Sequence, residues 1–435
     1  MKFILLLLIF ISLILINCKQ KQHKNNNELF LNWGFKNNLK ISSYIEASLL
    51  EDNKIKFIAK EDIPKNEEII MIPNSIMLNV TKTLKLLNFS NLTNQYKIFE
   101  ELNLTYKPNP YDFRKEEAFI TYIFYLIQHN YKKFKKSNFL ENYEKYWKSI
   151  KKYSIKSALF YDQEQKELLS GSSLFNSINL MNKIFEDEIK ILSNNIYYNK
   201  YIDLDDYIQH RLFVHNKGLN ITNHWTLVPF LNFLDDDYSS YNSNYTIEKN
   251  GDLKIISKRN IKKGDEIILK SKKKSNIRRL LTEGKTNEKL VDYFEEFLIN
   301  AFSPGLIRRY EIKDIEPFLN HYINLRDKDF ESKATKLYID KAGLLKGDGS
   351  DTWAYSVLQA NLAFYKQYFE YITLSKIYET FSEKEDRINV ERLLRGEKRV
   401  IEKAIKKISK TIGQFMEIQE KYMNNDKNNM KIPDL

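Results

Sequence analysis

Two segments rich in short strands, at residues 41–80 and 225–269, are separated by a long stretch of helical character. In the first segment Lys54-Ile55-Lys56-Phe57-Ile58 alternates polar and apolar residues, and an apolar run at 69–72 stops at Pro73. Such alternation predicts half-buried strands. Helical spacing of apolar residues extends from about residue 95 to 222 and resumes near residue 286. The pattern predicts an α+β protein in which a strand-rich unit is split by a helical insertion and followed by a helical domain.

Turn residues mark two chain reversals in the second strand-rich segment. Asn250-Gly251 joins two strand-like runs at 245–249 and 253–257, and this dipeptide predicts a two-residue type I′ hairpin turn. Lys262-Lys263-Gly264-Asp265 predicts a second turn, which leads into a strand at 266–269.

The chain beyond residue 286 is predicted to be helical to its end. Two apolar stripes repeat there at intervals of three and four residues, as core-facing helices require. A chain of 435 residues exceeds the size of one hydrophobic core, so a separate C-terminal domain is expected. The last dozen residues, rich in Asn and Lys, are predicted to form a disordered tail. The stripes comprise Leu358, Leu362, Tyr365, Phe369 and Ile372, and then Ile401, Ile405, Ile408, Ile412 and Phe415.

The amino terminus has the pattern of a targeting segment. Met1-Lys2 precedes an apolar run at 3–16, which ends at Asn17-Cys18 and a polar stretch. A basic residue, about 14 mostly apolar residues and an abrupt polar exit are typical of a secretory signal, and the run is short for a membrane span. The expected location is therefore the secretory pathway or the extracellular space. An uncleaved anchor and a lipoprotein attached through Cys18 are the alternatives.

Cysteine content and charge exclude several classes of function. Cys18 is the single cysteine, which excludes disulfide scaffolds, cysteine-ligated zinc and thiol nucleophiles from the mature chain. The net charge of +12 comes from lysines spread along the chain, a pattern typical of a solvated surface. No nucleic-acid partner is expected, and a membrane is expected only through an uncleaved or lipidated leader. The expected partner is a protein, as substrate or as ligand.

Several short motifs, in order and at sensible spacings, resemble the split SET domain of the Rubisco large-subunit methyltransferase class, which includes the actin-histidine methyltransferase. Each motif is weak by itself, and their order carries the resemblance. The motifs are Phe30-Leu31-Asn32-Trp33, the strand pair and turn at 57–73, His210-Arg211 in place of Ser-Arg, Leu227-Val228-Pro229-Phe230, the turn at 261–267, Ser275-Asn276 through Gly284, and Leu394-Arg395-Gly396-Glu397-Lys398. Further insertion motifs are at 139–143, 159–161 and 168–172.

The resemblance implies a domain order for the chain. It implies a β-rich SET domain in two halves, a helical insertion between them, and an all-α substrate-binding domain at the C-terminal end. The predicted boundaries are 1–18 for the leader, 28–94 for the first SET half, 95–223 for the insertion, 224–285 for the second SET half, 286–423 for the substrate-binding domain and 424–435 for the tail.

The resemblance also implies a chemistry. Such enzymes bind S-adenosylmethionine on one side of the fold and receive a lysine or histidine side chain from the other side. Because the sulfonium already activates the methyl group, the protein contributes mainly positioning. A Gly-x-Gly turn, an Asn-His pair and a tyrosine hydroxyl normally serve this role in the class.

All three features are replaced here. Lys54-Ile55-Lys56 occupies the Gly-x-Gly position, Asp235-Asp236 occupies the Asn-His position and Ser271 occupies the position of the catalytic tyrosine. Lys54, Lys56, Asp235 and Asp236 are thus the predicted cofactor-contacting positions, Arg211 is a supporting one, and Ser271 is the predicted catalytic position. Lysines beside a sulfonium are electrostatically unfavourable.

Other chemistry is not indicated by the sequence. Asp235-Asp236-Asp237 has the oxygen ligands that a hard cation prefers, but a solvated acidic loop is the favoured interpretation, so no metal is predicted. The chain contains no phosphate-binding glycine loop, Gly-x-Ser-x-Gly elbow or His-Glu-x-x-His helix.

Two hypotheses for function follow from these residues. The first is a methyltransferase-like SET protein, which would use S-adenosylmethionine on protein lysine or histidine if it were active. The second, which the three replacements favour, is a non-catalytic SET-fold protein that retains the architecture for protein binding. A basic scaffold for membranes or nucleic acids is a more remote alternative, which predicts strongly salt-dependent binding.

Overall fold

The computed structural model describes residues 30–49, 55–86, 101, 114–128, 155–195, 202–221, 224–295, 297–301, 321–342 and 350–429. Within these ranges, no helix combines the length and the apolar composition needed to cross a bilayer. The chain divides into two units. Unit 1 comprises 1–155 with 183–273, and unit 2 comprises 156–182 with 274–435. The leader at 1–18 and Lys54 lie outside the described residues.

Unit 1 contains eleven described strands arranged in three sheets. A six-stranded sheet has the order β1-β4-β10-β9-β11-β8, β2 and β3 form a hairpin, and a three-stranded sheet has the order β5-β7-β6. All the pairs are antiparallel except β11 with β8 and β11 with β9. The strands are β1 (Lys40–Ile41), β2 (Ile45–Leu49), β3 (Ile55–Ala59), β4 (Glu68–Ile72), β5 (Leu78–Asn79), β6 (Gly218–Ile221), β7 (His224–Leu227), β8 (Asp235–Asp237), β9 (Ser243–Ile247), β10 (Leu253–Ser257) and β11 (Ile268–Lys270).

The two strand-rich segments meet in one β unit, as the sequence predicts. The Ala59 N–H donates to the Asp265 carbonyl, and the Ile267 N–H donates to the Phe57 carbonyl, each at 2.9 Å. Phe57 and Ile267 are fully buried in the same apolar core. Burial of these side chains from both segments explains why strands about 200 residues apart in sequence pair with each other.

The β9–β10 hairpin forms where predicted, but the predicted type of turn is wrong. The Glu248 N–H bonds to the Asp252 carbonyl, which leaves a three-residue loop in place of a two-residue loop. Gly251 has φ +85°, whereas Asn250 is not among the residues with positive φ. A type I′ turn needs positive φ at both central residues, so the chain instead places glycine at the left-handed position of a longer loop.

The described helices between the strand-rich segments of unit 1 are four. They are α1 (Val80–Leu86), α2 (Lys115–Gln128), the second half of α4 (Ser173–Asn195) and α5 (Leu204–Lys217). Residues 30–36 are also helical, and Trp33 in this segment stacks on Phe30 at 5.2 Å. The helices α2 and α5 pack against each other through buried side chains, among them Tyr122, Tyr207 and Arg211.

The described residues of unit 2 are mainly helical, with one short antiparallel strand pair. Its helices are α3 (Gln163–Leu168), the first half of α4, α6 (Asn276–Glu283), α7 (Phe330–Ala342), α8 (Ser350–Tyr371), α9 (Leu374–Thr380) and α10 (Lys384–Asn429). Leu358, Leu362 and Ile401 are fully buried, as the apolar stripes predict.

Two predictions for the C-terminal region need correction. It is not wholly helical, because β12 (Leu298–Asn300) pairs antiparallel with β13 (Tyr322–Asn324). Helix α10 continues to Asn429, so residues 424–429 are helical where a tail was predicted. No proline lies between Lys384, where α10 begins, and Pro433, so no proline breaks the hydrogen-bond ladder of this helix.

A buried carboxyl group joins two helices inside unit 2. Glu397 of α10 is completely buried, and its Oε1 accepts hydrogen bonds from the Ser173 N–H, at 3.0 Å, and from the Ser173 hydroxyl. Ser173 is the first residue of α4, so the carboxyl group satisfies a backbone donor that the helix itself cannot. The neighbouring Gly396 is required for the close approach of α10, because a Cβ there would lie 2.2 Å from the Val291 carbonyl oxygen.

Candidate functional site

The candidate site lies in unit 1, where β3 runs beside the segment that leads into β11. Phe57 and Ala59 point into the core, so Lys56 and Ile58 face the opposite side of the strand. Ile58 pairs with Glu266 across the two segments. Strand alternation therefore brings the side chains of Lys56 and Glu266 to one face.

The second contributor, β8, is positioned by a tight turn after β7. Phe230 is fully buried with φ +69°, a left-handed backbone conformation that costs a bulky residue free energy. Its ring stacks on Phe30 at 4.5 Å, and this packing holds the turn in place. A short 3₁₀ turn at Leu231–Phe233 follows, and β8 then pairs in parallel with β11, so that Asp235 lies opposite Ile268.

Lys56, Asp235 and Glu266 form an ion-paired group, here termed the Lys56 cluster. The Lys56 Nζ lies 2.6 Å from Asp235 Oδ2 and 2.6 Å from Glu266 Oε1. Two of the predicted cofactor-contacting positions, Lys56 and Asp235, therefore bind each other. The Lys56 side chain is 16% exposed, whereas that of Asp235 is 50% exposed, so the cluster opens to solvent on the Asp235 side.

Burial and the charges in the Lys56 cluster shift the pKa values of Lys56 and Glu266. Burial lowers the pKa of Lys56, but hydrogen bonds and charge from Asp235 and Glu266 outweigh it, so the pKa of Lys56 is raised overall. Burial raises the pKa of Glu266, and the nearby Asp235 charge adds to this, so the attraction of Lys56 only partly offsets the increase. Lys56 therefore stays charged at neutral pH and is shared by two carboxyl groups.

The other two aspartates of β8 have different surroundings. Asp236 is half-buried opposite Leu269. The Asp237 carboxylate accepts hydrogen bonds from the Ser239 N–H at 2.6 Å, the Ser239 hydroxyl at 2.8 Å and the Ser240 N–H at 2.8 Å. Burial opposes this charge, but the donors hold the pKa of Asp237 at about 2. Among the described residues, no group of three or more His, Cys, Asp or Glu side chains is arranged to hold a metal ion.

Ser271, at the predicted catalytic position, directly follows β11. Its N–H donates to the Asp237 carbonyl at 3.3 Å, and its Oγ is buried and bonds to no described atom. Two nearby lysines lie over tyrosine rings: Lys270 Nζ is 5.3 Å from the ring of Tyr241, and Lys273 Nζ is 5.6 Å from the ring of Tyr238. Cation–π contacts of this kind are stabilising on a protein surface.

Arg211 is not part of the Lys56 cluster. It is fully buried on α5, where Nη1 lies 2.6 Å from Glu117 Oε2 and Nε lies 3.0 Å from Glu188 Oε2. His215 Nδ1 lies 3.0 Å from the same Glu117 oxygen. These four residues, the Arg211 cluster, join α2, α4 and α5 within unit 1. Burial would raise the pKa of Glu117, but the charges of His215 and Arg211 hold it below its ordinary value.

Sequence reasoning missed Glu266. A signal was available, because the predicted turn at Lys262–Asp265 fixes which residue begins the next strand, and alternation then assigns Glu266 and Ile268 to one face. The contact of Glu266 with Lys56 depends in addition on the pairing of β3 with this segment, which the sequence does not specify.

This architecture is a SET-domain-like α+β fold with a C-terminal helical region. Solved structures that share it include the SET domain of LSMT bound to lysine and AdoHcy, with TM-score 0.59, 12% identity, and coverage of 89% of this chain and 91% of the other. Rubisco LSMT bound to AdoMet aligns with TM-score 0.58 and 13% identity over 88% and 92% of the two chains. At such low identity the likeness establishes the fold alone. No protein-family model and no curated protein matches the sequence.

Proposed function

We propose that this chain is a SET-fold protein that binds a protein partner and transfers no methyl group. The observation that carries the proposal is the ion pair between Lys56 and Asp235, at 2.6 Å. In the class that the sequence resembles, these two positions both contact S-adenosylmethionine. Here their side chains bind each other, and a third charged group, Glu266, holds the lysine in place.

The residues present do not fit S-adenosylmethionine in the class's manner. A lysine replaces a glycine whose lack of a side chain would let the backbone approach the cofactor. Its raised pKa keeps an ammonium charge beside the place expected for a sulfonium. A serine hydroxyl at position 271 is also much shorter than the tyrosine that it replaces. We therefore derive no reaction step through this cofactor.

The second candidate is a protein lysine or histidine methyltransferase with an altered cofactor site. The observation in its favour is the fold likeness, over 88% of the chain, to a methyltransferase that was solved with AdoMet bound. The half-exposed Asp235 carboxylate is also able to accept a hydrogen bond from the ammonium group of the cofactor.

Isothermal titration calorimetry with S-adenosylmethionine separates the two candidates. We expect no heat of binding from the wild-type protein at millimolar ligand. A variant that restores the class residues, Lys56→Gly with Asp235→Asn and Asp236→His, should bind more tightly than the wild type. Micromolar binding by the wild-type protein would contradict the proposal and support the enzyme.

The matched control is Lys254→Gly. Lys254 also lies on a strand of unit 1 between two carboxylates, with Nζ 3.0 Å from Glu68 and 3.3 Å from Glu248, but it is outside the Lys56 cluster. This variant should gain no affinity for the cofactor. A protein partner identified by crosslinking should bind equally well with and without S-adenosylmethionine.

The proposal includes entry into the secretory route, which rests on the apolar leader at residues 1–18. A membrane-anchored lipoprotein is the alternative. Sequencing the amino terminus of protein recovered from expressing cells distinguishes the two, because a cleaved secretory signal leaves a free new terminus and a lipoprotein begins at a modified Cys18.

A further inference from the structure

A compact group of charged side chains surrounds one carboxylate at the end of α6 in unit 2. Glu283 lies 2.8 Å from Lys274 Nζ, 3.3 Å from Arg279 Nη2 and 4.0 Å from Lys285 Nζ. These four residues, the Arg279 cluster, carry three positive charges and one negative charge. The neighbouring Arg278 lies 3.6 Å from Glu295, so that pair adds no net charge.

Two of the three guanidinium nitrogens of Arg279 lack acceptors within the described part of the chain. Its side chain is 3% exposed, and its Nε and Nη1 atoms are buried without a hydrogen-bond partner among the described residues. Buried donors that bond to nothing are rare, because each one loses its hydration without replacement. An arginine does not relieve this by losing its proton.

The negative charge of Glu283 does not disappear in this setting. Burial would raise the pKa of Glu283, but the charges of Lys274, Arg279 and Lys285 hold it below its ordinary value. The carboxylate therefore neutralises one of the three cations at neutral pH, and two positive charges remain in a cluster of which only Lys285 is substantially exposed.

We propose that the Arg279 cluster binds a doubly charged oxyanion of the phosphate class, either inorganic phosphate or a phosphate monoester. Such an anion supplies several acceptor oxygens to the two donor atoms of Arg279, and its charge matches the surplus of the cluster. The Lys285 side chain is 42% exposed, so solvent reaches the cluster at this residue.

Simpler occupants satisfy only part of this arrangement. Water supplies acceptors to Arg279 but leaves two positive charges uncompensated in a poorly solvated site. A monocarboxylate supplies two oxygens but only one negative charge. The proposal is independent of whether the Lys56 cluster excludes S-adenosylmethionine.

The test uses the full chain and inorganic phosphate as the probe. Calorimetric titration and thermal unfolding are measured with phosphate, sulfate or acetate against chloride at equal ionic strength. We expect phosphate and sulfate to bind and to raise the unfolding midpoint, with acetate weaker. Arg279→Gln should weaken phosphate binding at least about tenfold, because a charge-assisted hydrogen bond is lost.

Arg399→Gln is the matched control. Arg399 is an exposed arginine of the same unit, paired with Asp292 at 3.1 Å, so its loss should leave phosphate binding unchanged. If Arg279→Gln does not fold, Glu283→Gln is the second variant. It keeps all three cations and removes the competing carboxylate, so it should bind phosphate more tightly than the wild type.

Any of four results would overturn the proposal, the first three of which concern phosphate binding. These are no phosphate effect beyond that of chloride on the wild-type protein, equal loss in Arg279→Gln and Arg399→Gln, or unchanged affinity in Glu283→Gln. Stronger stabilisation by acetate than by phosphate would also overturn it, because it would identify the site as one for a carboxylate.

Discussion

In unit 1 Glu117 and Glu188 are buried around the guanidinium of Arg211, whereas in unit 2 Glu397 is buried with no cation within ion-pair distance among the described residues. Both arrangements keep carboxyl groups away from water, which is costly for the charged form. Unit 1 offsets that cost with opposite charge. Around Glu397, unit 2 provides neutral donors from Ser172 and Ser173.

The consequence is a difference in titration. The pKa of Glu117 lies below its ordinary value, because His215 and Arg211 outweigh burial. Burial raises the pKa of Glu397 to about 7, since hydrogen bonds from the two serines offset it only in part. Near neutral pH Glu117 therefore keeps its charge, while Glu397 is close to the midpoint of its titration. A counter-charge, and not burial alone, decides which buried acid responds to pH.

The largest effect on this difference between the two units is expected from removing the guanidinium of Arg211. Arg211→Met should lower the free energy of unfolding by about 3–5 kcal/mol, because it removes the guanidinium that pairs with both buried glutamates and leaves only His215 beside Glu117. Urea unfolding at neutral pH measures the loss. The exposed pair of Arg399 with Asp292 provides the control, since Arg399→Met should cost about 1 kcal/mol or less. Equal losses in the two variants would show that burial of the Arg211 cluster has no energetic weight.

The second test is the pH dependence of stability that Glu397 of unit 2 should produce. With the pKa of Glu397 raised from 4.5 to about 7, the folded protein keeps a proton that the unfolded chain has already released. Stability is then highest below the unfolded pKa and falls by up to about 3 kcal/mol as the pH rises from about 4.5 to 7. Glu397→Gln should remove this fall while keeping the acceptor for Ser173. Unfolding curves across this pH range give the slope, and an unchanged slope in the variant would assign the effect to other groups.

The Lys56 cluster is an intermediate case, because its charges are paired but only partly buried. Lys56→Met should lower the free energy of unfolding by about 1 kcal/mol, since solvent screens the two carboxyl groups that remain. Lys254→Met should cost less, because Lys254 and both of its partners are more exposed than Lys56. Denaturant unfolding of the two variants side by side tests the ranking, and a larger loss for Lys254→Met would reverse it.

Local patterns predicted much of unit 1. The alternation around Phe57 gave β3, Pro73 ended β4 as expected, and Gly251 and Gly264, both with positive φ, lie in the predicted turns. Each of these features depends on neighbours within a few residues, which the sequence states directly. The type of the β9–β10 turn was missed because Asn-Gly suits both a two-residue loop and the longer loop that the strands adopt.

Contacts between distant residues account for what the sequence did not reveal. Lys56 and Asp235 are 179 residues apart, and Ser173 and Glu397 are 224 apart. The residues next to one member of such a pair do not indicate which distant residue it will contact. The strands β12 and β13 were missed because each is only three residues long, too short for alternation to register. For Arg211, the motif gave its position, but the two glutamates that surround it come from other helices.

The bond between Glu397 and Ser173 also sets an order of events during synthesis. Ser173 leaves the ribosome long before Glu397. The Ser173 N–H in the first turn of α4 therefore lacks its carboxyl acceptor at first. Its partner becomes available only when α10 emerges, 224 residues further along the chain. The interior of unit 2 is therefore completed only after α10 has been synthesised, and a nascent chain stopped before α10 would present that end of α4 to chaperones.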